Sequence, residues 1–329
     1  MAGPIAAVVG VGVTGARVAD LLAATGARVA VVDVNAAVAA GIARAVGGVS
    51  IGLIHAEHAD IAVLAHPTPH APTAARLRAA VLPVVSMSDD VDDVRELLEL
   101  APLAVRHGTT LVIGAAMAPG LSGLLARQLS AQLHEVDEIH VAMHGTGGPS
   151  CARQHHRALG GVSLGLHDGE WVRRPAGAGR ELCWFPEPIN AYDCYRAEMA
   201  EPILLNRVFP TVGRMSARMS ATRRDRFTAR LPMLSPPHKE GGIGAIRVDV
   251  RGSLASGARE TLVAGAAVRS GMAAAVVAAM MTNWLLDDRS LTGAIVLGDE
   301  RLPTTDLLES IRAAGVPLFE FSGVSRPPA

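Results

Sequence analysis

Residues 5–15 read IAAVVGVGVTG, and this stretch decides the fold. Its apolar run, residues 5–9, leads into Gly10, Gly12 and Gly15 with the spacing G-x-G-x-x-G. A strand that passes into a helix through glycines at this spacing is typical of dinucleotide-binding folds. Gly10 permits the tight turn, Gly12 lets the backbone approach a pyrophosphate, and Gly15 lets the helix pack closely on the strand. The phosphates would then lie against free N–H groups at the helix N-terminus.

The acidic residue that follows the second strand indicates which dinucleotide binds. A second apolar run, residues 28–32, ends in Asp33, 23 positions after Gly10. A carboxylate here accepts hydrogen bonds from the ribose hydroxyls of NAD and repels the extra phosphate of NADP. Val34 and the next three residues carry no positive charge, which favours NAD, whereas Arg44 keeps NADP open. The alternative is a glycine-rich turn without a ligand.

Composition excludes several classes of partner. The 329 residues suffice for two domains, and half of them are hydrophobic. A formal net charge of −1 predicts no general attraction to nucleic acid or to an anionic membrane. Three widely spaced cysteines make no disulfide framework, and the chain starts directly on a strand, so a reduced cytoplasmic location is expected. The apolar stretch 272–286 is too short to span a membrane.

The first part of the chain alternates between strand and helix patterns. Residues 59–65 (ADIAVLA) are entirely apolar, as in a parallel strand covered on both faces. The pattern predicts a doubly wound parallel Rossmann sheet of six strands in a domain over 1–116. The pattern locates five of these six strands, namely the first two and those over 59–65, 81–85 and 109–113. The predicted helices are 36–45, 71–80 and 89–106.

The pattern changes after residue 116, where strands follow one another with few helices between them. This predicts a second domain over 117–329, of α+β type, built on a mixed or antiparallel sheet. The alternation of residues 136–143 (VDEIHVAM) indicates a half-exposed strand. Whether the C-terminal helix packs back on the first domain stays open. The other predicted strands are 169–174, 213–221, 244–252, 260–268 and 316–321, and the predicted helices are 121–133, 153–159, 191–197, 223–231, 271–286 and 304–314.

The loop and helix start at residues 144–157, HGTGGPSCARQHHR, carry the strongest candidate substrate site. Exposed N–H groups and basic side chains so close together can hold a carboxylate. His155 and His156 are the candidates for proton transfer, since histidine titrates near neutral pH. A helix cap with solvated basic residues is the alternative, as is a metal site from Cys151 and both histidines, although no structural zinc spacing is present and no metal is expected. The predicted substrate-binding residues are Gly147, Gly148, Ser150, Arg153 and Arg157.

Three more segments follow strands of the first domain, at residues 66–70, 86–90 and 116–120. Ligands of doubly wound sheets bind beyond the carboxyl ends of the strands, so these segments should border the cofactor. His66 or His70 is an alternative proton donor, and Ser88 or Asp89 is expected to cap the next helix. The residues predicted to contact the cofactor here are His66, Pro67, Ser86 and Pro119, in addition to Val34 after the second strand.

Five motifs together resemble saccharopine dehydrogenase-like NAD(P)-binding oxidoreductases, and among these the actinobacterial type. The resemblance implies hydride transfer between NAD(P) and the carbon of a C–N bond. It also implies a Rossmann domain and an α+β domain that supplies the substrate site and often a dimer interface. The motifs are VVGVGVTGARVADLL, VLAHPTPH, SMSDD, AAMAPGLSGLLAR and GTGGPSCARQHHR. The cofactor residues that it implies are Gly10, Gly12, Val13, Thr14, Gly15 and Asp33.

These observations predict a cytoplasmic NAD(P)-dependent oxidoreductase that acts on a small carboxylate-bearing molecule. An amino acid, an imine or an opine-like amine is the expected substrate, and a homodimer is the expected assembly. One alternative is a reductase of an aldehyde, ketone or semialdehyde. Another is a dinucleotide-binding sensor without turnover.

Overall fold

Two β-sheets organise the chain, of which the computed structural model describes residues 3–233 and 236–321. The first sheet has seven strands, all parallel, in the order β15-β6-β5-β4-β1-β2-β3. Its central strands are buried along their length, which explains their nearly continuous apolar sequences. The predicted doubly wound sheet is confirmed. Its strands are β1 (Ile5–Val9), β2 (Arg28–Val32), β3 (Val49–Ser50), β4 (Ile61–Leu64), β5 (Val84–Ser86), β6 (Thr110–Ile113) and β15 (Gly293–Val296).

Helices that join these strands follow the predicted pattern with two local differences. The predicted helix over 89–106 is divided at Leu100, because Pro102 has no N–H to continue the hydrogen-bond ladder. The strand predicted over 81–85 begins at Val84, since Val81 has a left-handed backbone with a φ of 63°. The helices are α1 (Val13–Ala24), α2 (Ala36–Ala45), α3 (Ala71–Ala79), α4 (Val91–Glu99) and α5 (Ala101–Arg106), with a 3₁₀ helix over Leu53–His58.

The second sheet is mixed, as predicted, and has nine strands. Seven follow the order β10-β11-β12-β7-β13-β14-β16, and the hairpin of β8 and β9 is attached to β12. Residues 191–197, predicted as a helix, instead form a strand whose backbone pairs with strands on both sides, so that prediction is wrong. The strands are β7 (Glu135–His144), β8 (Val162–His167), β9 (Glu170–Pro175), β10 (Glu181–Trp184), β11 (Ala191–Arg196), β12 (Arg214–Ser220), β13 (Ile243–Ser253), β14 (Arg259–Arg269) and β16 (Leu318–Phe321).

Six helices belong to the part of the chain after residue 116. They cover the second sheet and tie it to the first, and one apolar core includes both Val8 of β1 and Val248 of β13. The helix over 201–208 was not predicted. No helix in the described residues is long and apolar enough to cross a bilayer. The helices are α6 (Leu121–Ser130), α7 (Pro149–Ala158), α8 (Glu201–Val208), α9 (Arg223–Thr228), α10 (Ser270–Asp287) and α11 (Thr304–Ala313).

The chain returns to the first sheet near its C-terminal end. Helix α10 packs along α1, and β15 then pairs with β6 at the edge of the parallel sheet. The first sheet therefore contains a strand from the segment assigned by sequence to the second domain. The division at residue 116 stays a prediction about folding units.

Candidate active site

A cavity of about 950 Å³ lies between the carboxyl edge of the parallel sheet and the loop between β7 and α7. Most of its wall is apolar. The glycine turn after β1 and the first turns of α7 both contribute to the wall, and they lie close together, since a Cβ on Gly148 would lie 3.7 Å from the Cβ of Val13. A single space of this size accommodates a dinucleotide and a small second molecule. The polar residues of its wall include Thr14, Asp33, His66, Asp89, Cys151, His155 and Ser270.

Each glycine of the turn after β1 has its own role. Gly10 has a φ of +89°, and a Cβ there would collide with the backbone of His66. A Cβ on Gly15 would collide with the carbonyl oxygen of Gly10, so this glycine serves helix packing and does not line the cavity. A Cβ on Gly12 would meet nothing within 4 Å, and this residue faces the cavity. The open space beside Gly12 suits the close approach of a phosphate.

Asp33 is held at the cavity wall by two backbone groups. Its Oδ2 accepts a hydrogen bond of 2.9 Å from the Val11 N–H, and its Oδ1 accepts one of 2.9 Å from the Asn35 N–H. Each oxygen keeps a lone pair for a further donor. Val34, the next residue, is fully exposed and also lines the cavity. Arg44 is exposed in the last turn of α2 and is not part of the wall.

His70 is buried and neutral. Its Nε2 lies 2.7 Å from the carbonyl oxygen of His66 and must donate, so its Nδ1 accepts from the Ser86 hydroxyl at 2.9 Å. Burial, and then the neighbouring His66, lower the pKa of His70 to about 4. Its place is structural, and the alternative of His70 as proton donor finds no support.

Two of the predicted cofactor residues lie behind the wall. Ser86 is fully buried and contacts His70, so its prediction as a cofactor contact is corrected. Pro119 is also outside the wall, although Ala116 and Ala118 before it are part of it. The physical reason is that these side chains fill the space under the sheet edge. His66 and Pro67 do line the cavity, together with Val13 and Thr14 at the start of α1.

Asp89 directly precedes the residue that caps α4, and its own side chain takes no part in the cap. Asp90, rather than Ser88 or Asp89, accepts hydrogen bonds from the N–H groups of Asp92 and Asp93. The expectation of a cap at Ser88 or Asp89 is therefore wrong. The Asp89 carboxylate is free to reach across the cavity, and its Oδ2 lies 3.1 Å from Nε2 of His155.

His155 is enclosed by two groups that favour its charged form. The sulfur of Cys151, one helical turn earlier, lies 3.6 Å from Nε2 of His155 and accepts a hydrogen bond of 3.4 Å from the Gly147 N–H. Burial by itself lowers the pKa of His155, but Cys151 and Asp89 together raise it well above the ordinary value. The imidazole is thereby kept protonated at neutral pH, with its proton held at the cavity wall.

The other basic residues of α7 point elsewhere. His156 Nε2 donates toward the carbonyl oxygens of Thr228 and Leu231, at 2.9 and 3.1 Å, and lies outside the cavity wall. Successive helical residues differ by about 100° in direction, so only one of the two histidines can face the cavity. Of the two histidines, His155 alone lines the cavity, and its role in proton transfer stays a prediction.

The predicted substrate residues separate into two groups. Gly147, Gly148 and Ser150 line the cavity. Arg153 and Arg157 are exposed and outside the wall, and the Arg153 guanidinium lies 3.5 Å from the Ser150 hydroxyl at its edge. Helical geometry is again the reason, because beyond the first two residues of α7 the cavity-facing positions are those of Cys151, Gln154 and His155.

Asp89, Cys151 and His155 form a cluster whose potential ligand atoms lie within 4.8 Å of one another. Carboxylate, thiolate and imidazole are all metal ligands. The expectation that the protein uses no metal therefore stays a prediction. Sequence reasoning had placed Asp89 at the cofactor rim and Cys151 in an alternative metal site, but nothing in the sequence indicated that the two residues meet at His155.

Similarity to known proteins lies in the fold. No protein-family model matches the sequence, and no curated protein matches it. Saccharopine dehydrogenase (L-Glu forming) from Saccharomyces cerevisiae superposes with a TM-score of 0.73 at 14% identity, over 97% of this chain and 100% of the yeast chain. The chain therefore has the saccharopine dehydrogenase fold. A substituted meso-dapdh from Clostridium tetani with DAP superposes with a TM-score of 0.52 at 12% identity, over 94% and 98% of the two chains.

The fold that the sequence motifs implied is thus confirmed over almost the whole chain. At this level of identity the match covers architecture, and the chemistry has to be argued from the residues of the cavity.

Proposed function

We propose that the protein is an NAD(P)-dependent oxidoreductase that transfers a hydride to or from a small carboxylate-bearing substrate. The observation that carries this proposal is the single cavity that joins the glycine turn and Asp33 to His155. The saccharopine dehydrogenase fold supports the same conclusion. Hydride transfer requires a binding site for the dinucleotide and a proton-transfer group in the same cavity.

The part of the cavity wall around Gly12 and Asp33 favours NAD over NADP. The open space at Gly12 and the start of α1 suit the pyrophosphate, and the remaining lone pairs of Asp33 suit the ribose hydroxyls. The carboxylate disfavours the extra phosphate of NADP, and no basic residue of the cavity wall beside it offsets this. The nicotinamide would lie toward His66 and Met117.

The part of the cavity around His155 supplies a proton close to the reacting carbon. Protonated His155 donates to the nitrogen of an imine, or to the oxygen of a carbonyl, as hydride arrives at the neighbouring carbon. In the oxidative direction the neutral imidazole accepts that proton. Asp89 orients the ring and stabilises its charged form. Cofactor and substrate together exclude water from the cavity.

The substrate carboxylate would bind at the second wall. Gly147 and Gly148 precede the N-terminus of α7, and Ser270 opens α10 on the same wall. Backbone N–H groups at helix N-termini attract anions. Amino acids, imines and opine-like amines are the substrates that combine this carboxylate with a reactive C–N bond.

The second candidate is a reductase of an aldehyde, ketone or semialdehyde. The position of His155 on the cavity wall suits it as well, because the same imidazole can donate its proton to a carbonyl oxygen as hydride reaches the carbon. Consumption of NADH with and without ammonia or an amine distinguishes the two candidates. A dependence on the amine supports C–N chemistry, and turnover without it supports the carbonyl substrate. A non-catalytic sensor would bind the dinucleotide and exchange no hydride.

The first experiment titrates the protein with NADH and NADPH and follows nicotinamide fluorescence. The wild type should bind NADH more tightly than NADPH. Asp33→Asn and Asp33→Ala should weaken NADH binding about 10- to 100-fold, the usual effect of losing a charge-assisted hydrogen bond, and reduce the preference over NADPH. Asp20→Ala, an exposed residue of α1, is the matched control. Binding of neither dinucleotide contradicts the proposal.

We also propose that the protein is a homodimer and that it is cytoplasmic. Leu182 and Trp184 are exposed on β10, an edge strand of the second sheet. Apolar side chains on an edge strand suit pairing with a second copy, and a homodimer is proposed. Light scattering of the wild type and of Trp184→Lys tests it. The three free cysteines agree with the proposed cytoplasmic location.

A further inference from the structure

A second, much smaller cavity adjoins the cofactor cavity and shares His155 and Asp89 with its wall. Its volume of about 10 Å³ is that of one water molecule. Asp89 and His155 form one part of its wall, and Glu198 and Glu201 form the other. The remaining wall residues are Gln154 and the apolar residues Ala118, Met143, Ala158, Met199 and Met219. His155 is the only cationic residue among them.

Glu201 is an unusual occupant of this position. Its residue is 2% exposed, and its Oε1 has no hydrogen-bond partner within the described part of the chain. Burial raises the pKa of Glu201 to about 7, the charge of Asp89 adds to the rise, and His155 opposes it. An unpaired buried carboxyl costs folding free energy, and such groups concentrate at functional sites.

Glu198 connects the small cavity to solvent. It lies three residues before Glu201, in the segment between β11 and α8, and its residue is exposed. The cavity wall therefore runs from the largely buried ring of His155 to a carboxylate at the surface. Carboxyl and imidazole groups, which can bind and release protons, therefore lie along this wall.

Hydride chemistry in a closed site creates a need for such a connection. Each oxidative turnover leaves one proton on His155, and each reductive turnover removes one. When cofactor and substrate fill the large cavity, they separate His155 from bulk water on that side. The proton then has to leave or arrive by another side of the ring.

We propose that Glu201 and Glu198, with one water molecule between them and His155, form a proton path from the active site to the surface. This inference rests on the proposed function of His155. In the oxidative direction the substrate proton moves to His155, the water passes it to Glu201, and Glu198 releases it to solvent. No bond other than those to the transferred proton forms or breaks. Glu201 is a positioning and proton-holding residue that does not touch the substrate.

The first test needs no substrate. The titration of His155 is followed by NMR, with its signals assigned by their loss in His155→Gln. In the wild type, the ionisation of Glu201 near pH 7 should appear as a step in the His155 chemical shifts. Glu201→Gln keeps the size of the side chain and should remove that step, whereas Glu309→Gln, an exposed residue of α11, should retain it. Identical titrations in wild type and Glu201→Gln overturn the proposal.

The second test measures the proton and the hydride separately, with a pH indicator and nicotinamide absorbance in a stopped-flow instrument. Glu201→Gln should slow proton release about tenfold or more, within the range of proton-transfer catalysis, and slow first-turnover hydride transfer less. Glu201→Asp should restore part of the release rate, and Glu198→Gln should give a smaller delay. Equal slowing of both processes indicates a structural role and overturns the path.

These two tests separate the inference from the function beneath it. If neither dinucleotide binds, the proposed oxidoreductase fails, while the NMR titration still decides whether Glu201 is coupled to His155. If hydride transfer occurs and Glu201→Gln changes neither titration nor proton release, the oxidoreductase stands and the path fails.

Discussion

His70 and His155 line the same cavity and are both almost fully enclosed, yet their pKa values move in opposite directions. His70 contacts a carbonyl oxygen and a hydroxyl, which are neutral groups, so burial prevails and its pKa falls to about 4. His155 contacts the Asp89 carboxylate and the Cys151 sulfur, and these overcome a comparable burial. Partners, rather than burial, decide whether an enclosed histidine carries a proton.

The difference between the two histidine pKa values indicates that the two sides of the cavity have different roles. On the side of the parallel sheet, His70 ties the loop after β4 to β5 through Ser86 and fixes the cofactor rim. On the side of the second sheet, His155 holds a proton where a substrate would react. Four changes test this contrast, and they are ordered by the size of the expected effect.

The largest effect is expected from the loss of the charged histidine. His155→Gln should reduce kcat/KM about 10²- to 10⁴-fold, because no other cavity residue replaces its proton. The neighbouring His156→Gln, whose ring faces Thr228 and Leu231, should retain activity within a fewfold of wild type. Steady-state kinetics of both variants decide the assignment, and an equal loss in the two would contradict it.

The neutral histidine should govern stability at low pH. The folded state holds the pKa of His70 near 4, below the ordinary 6.5, so the unfolded chain binds its proton first as pH falls. This group should lower the free energy of unfolding by about 3 kcal/mol between pH 7 and pH 4. His70→Asn should be less stable at pH 7 and lose less on acidification, as measured by urea unfolding at both pH values.

The pH dependence of the free energy of unfolding has the opposite sign for His155. Because its folded pKa is raised, its contribution to stability is fully present below pH 6.5 and is lost as pH rises through the folded value. His155→Gln should therefore be destabilised relative to wild type at pH 6 and less so at alkaline pH. A parallel pH dependence in the two histidine variants would break the contrast.

An intermediate effect is expected at Asp89. Asp89→Asn keeps the shape of the side chain and removes the charge, so the pKa of His155 should fall. The limb of the pH–rate profile that His155 controls, which is the alkaline limb in reduction and the acidic limb in oxidation, should then move to lower pH. Loss of a charge-assisted hydrogen bond of this kind corresponds to about 2 kcal/mol, or about 30-fold in kcat/KM. Asp90→Asn, next in sequence, changes the cap of α4 and should leave the pH profile in place.

The smallest effect is expected at Arg153. Its guanidinium is exposed and reaches only the edge of the cavity at Ser150, so Arg153→Ala should change KM by less than about fivefold, as for a solvent-screened charge. Kinetics with a carboxylate-bearing substrate check this. A large rise in KM would contradict this expectation and indicate that Arg153 binds the substrate carboxylate.

The accuracy of sequence reasoning differs between the two halves of the chain for a physical reason. Local signals located five of the seven strands of the first sheet, because glycine spacing and buried apolar runs report a parallel sheet directly. They failed for residues 191–197, where pairing with β10 and β12 prevailed over a helical pattern. They also missed β15, since a strand of four residues joins the first sheet from 180 residues downstream of β6.

The sequence by itself determined the glycine turn after β1, the position of Asp33 after β2 and the presence of a histidine-rich helix. These are features of neighbouring residues, and periodicity and spacing describe them. Only the tertiary structure decided that His155 faces the cavity and His156 does not. It also decided that Asp89 and Cys151 contact His155, and that Glu201 shares a small cavity with it. These residues come from separate elements, and the field that sets their charges exists only once the two sheets have packed together.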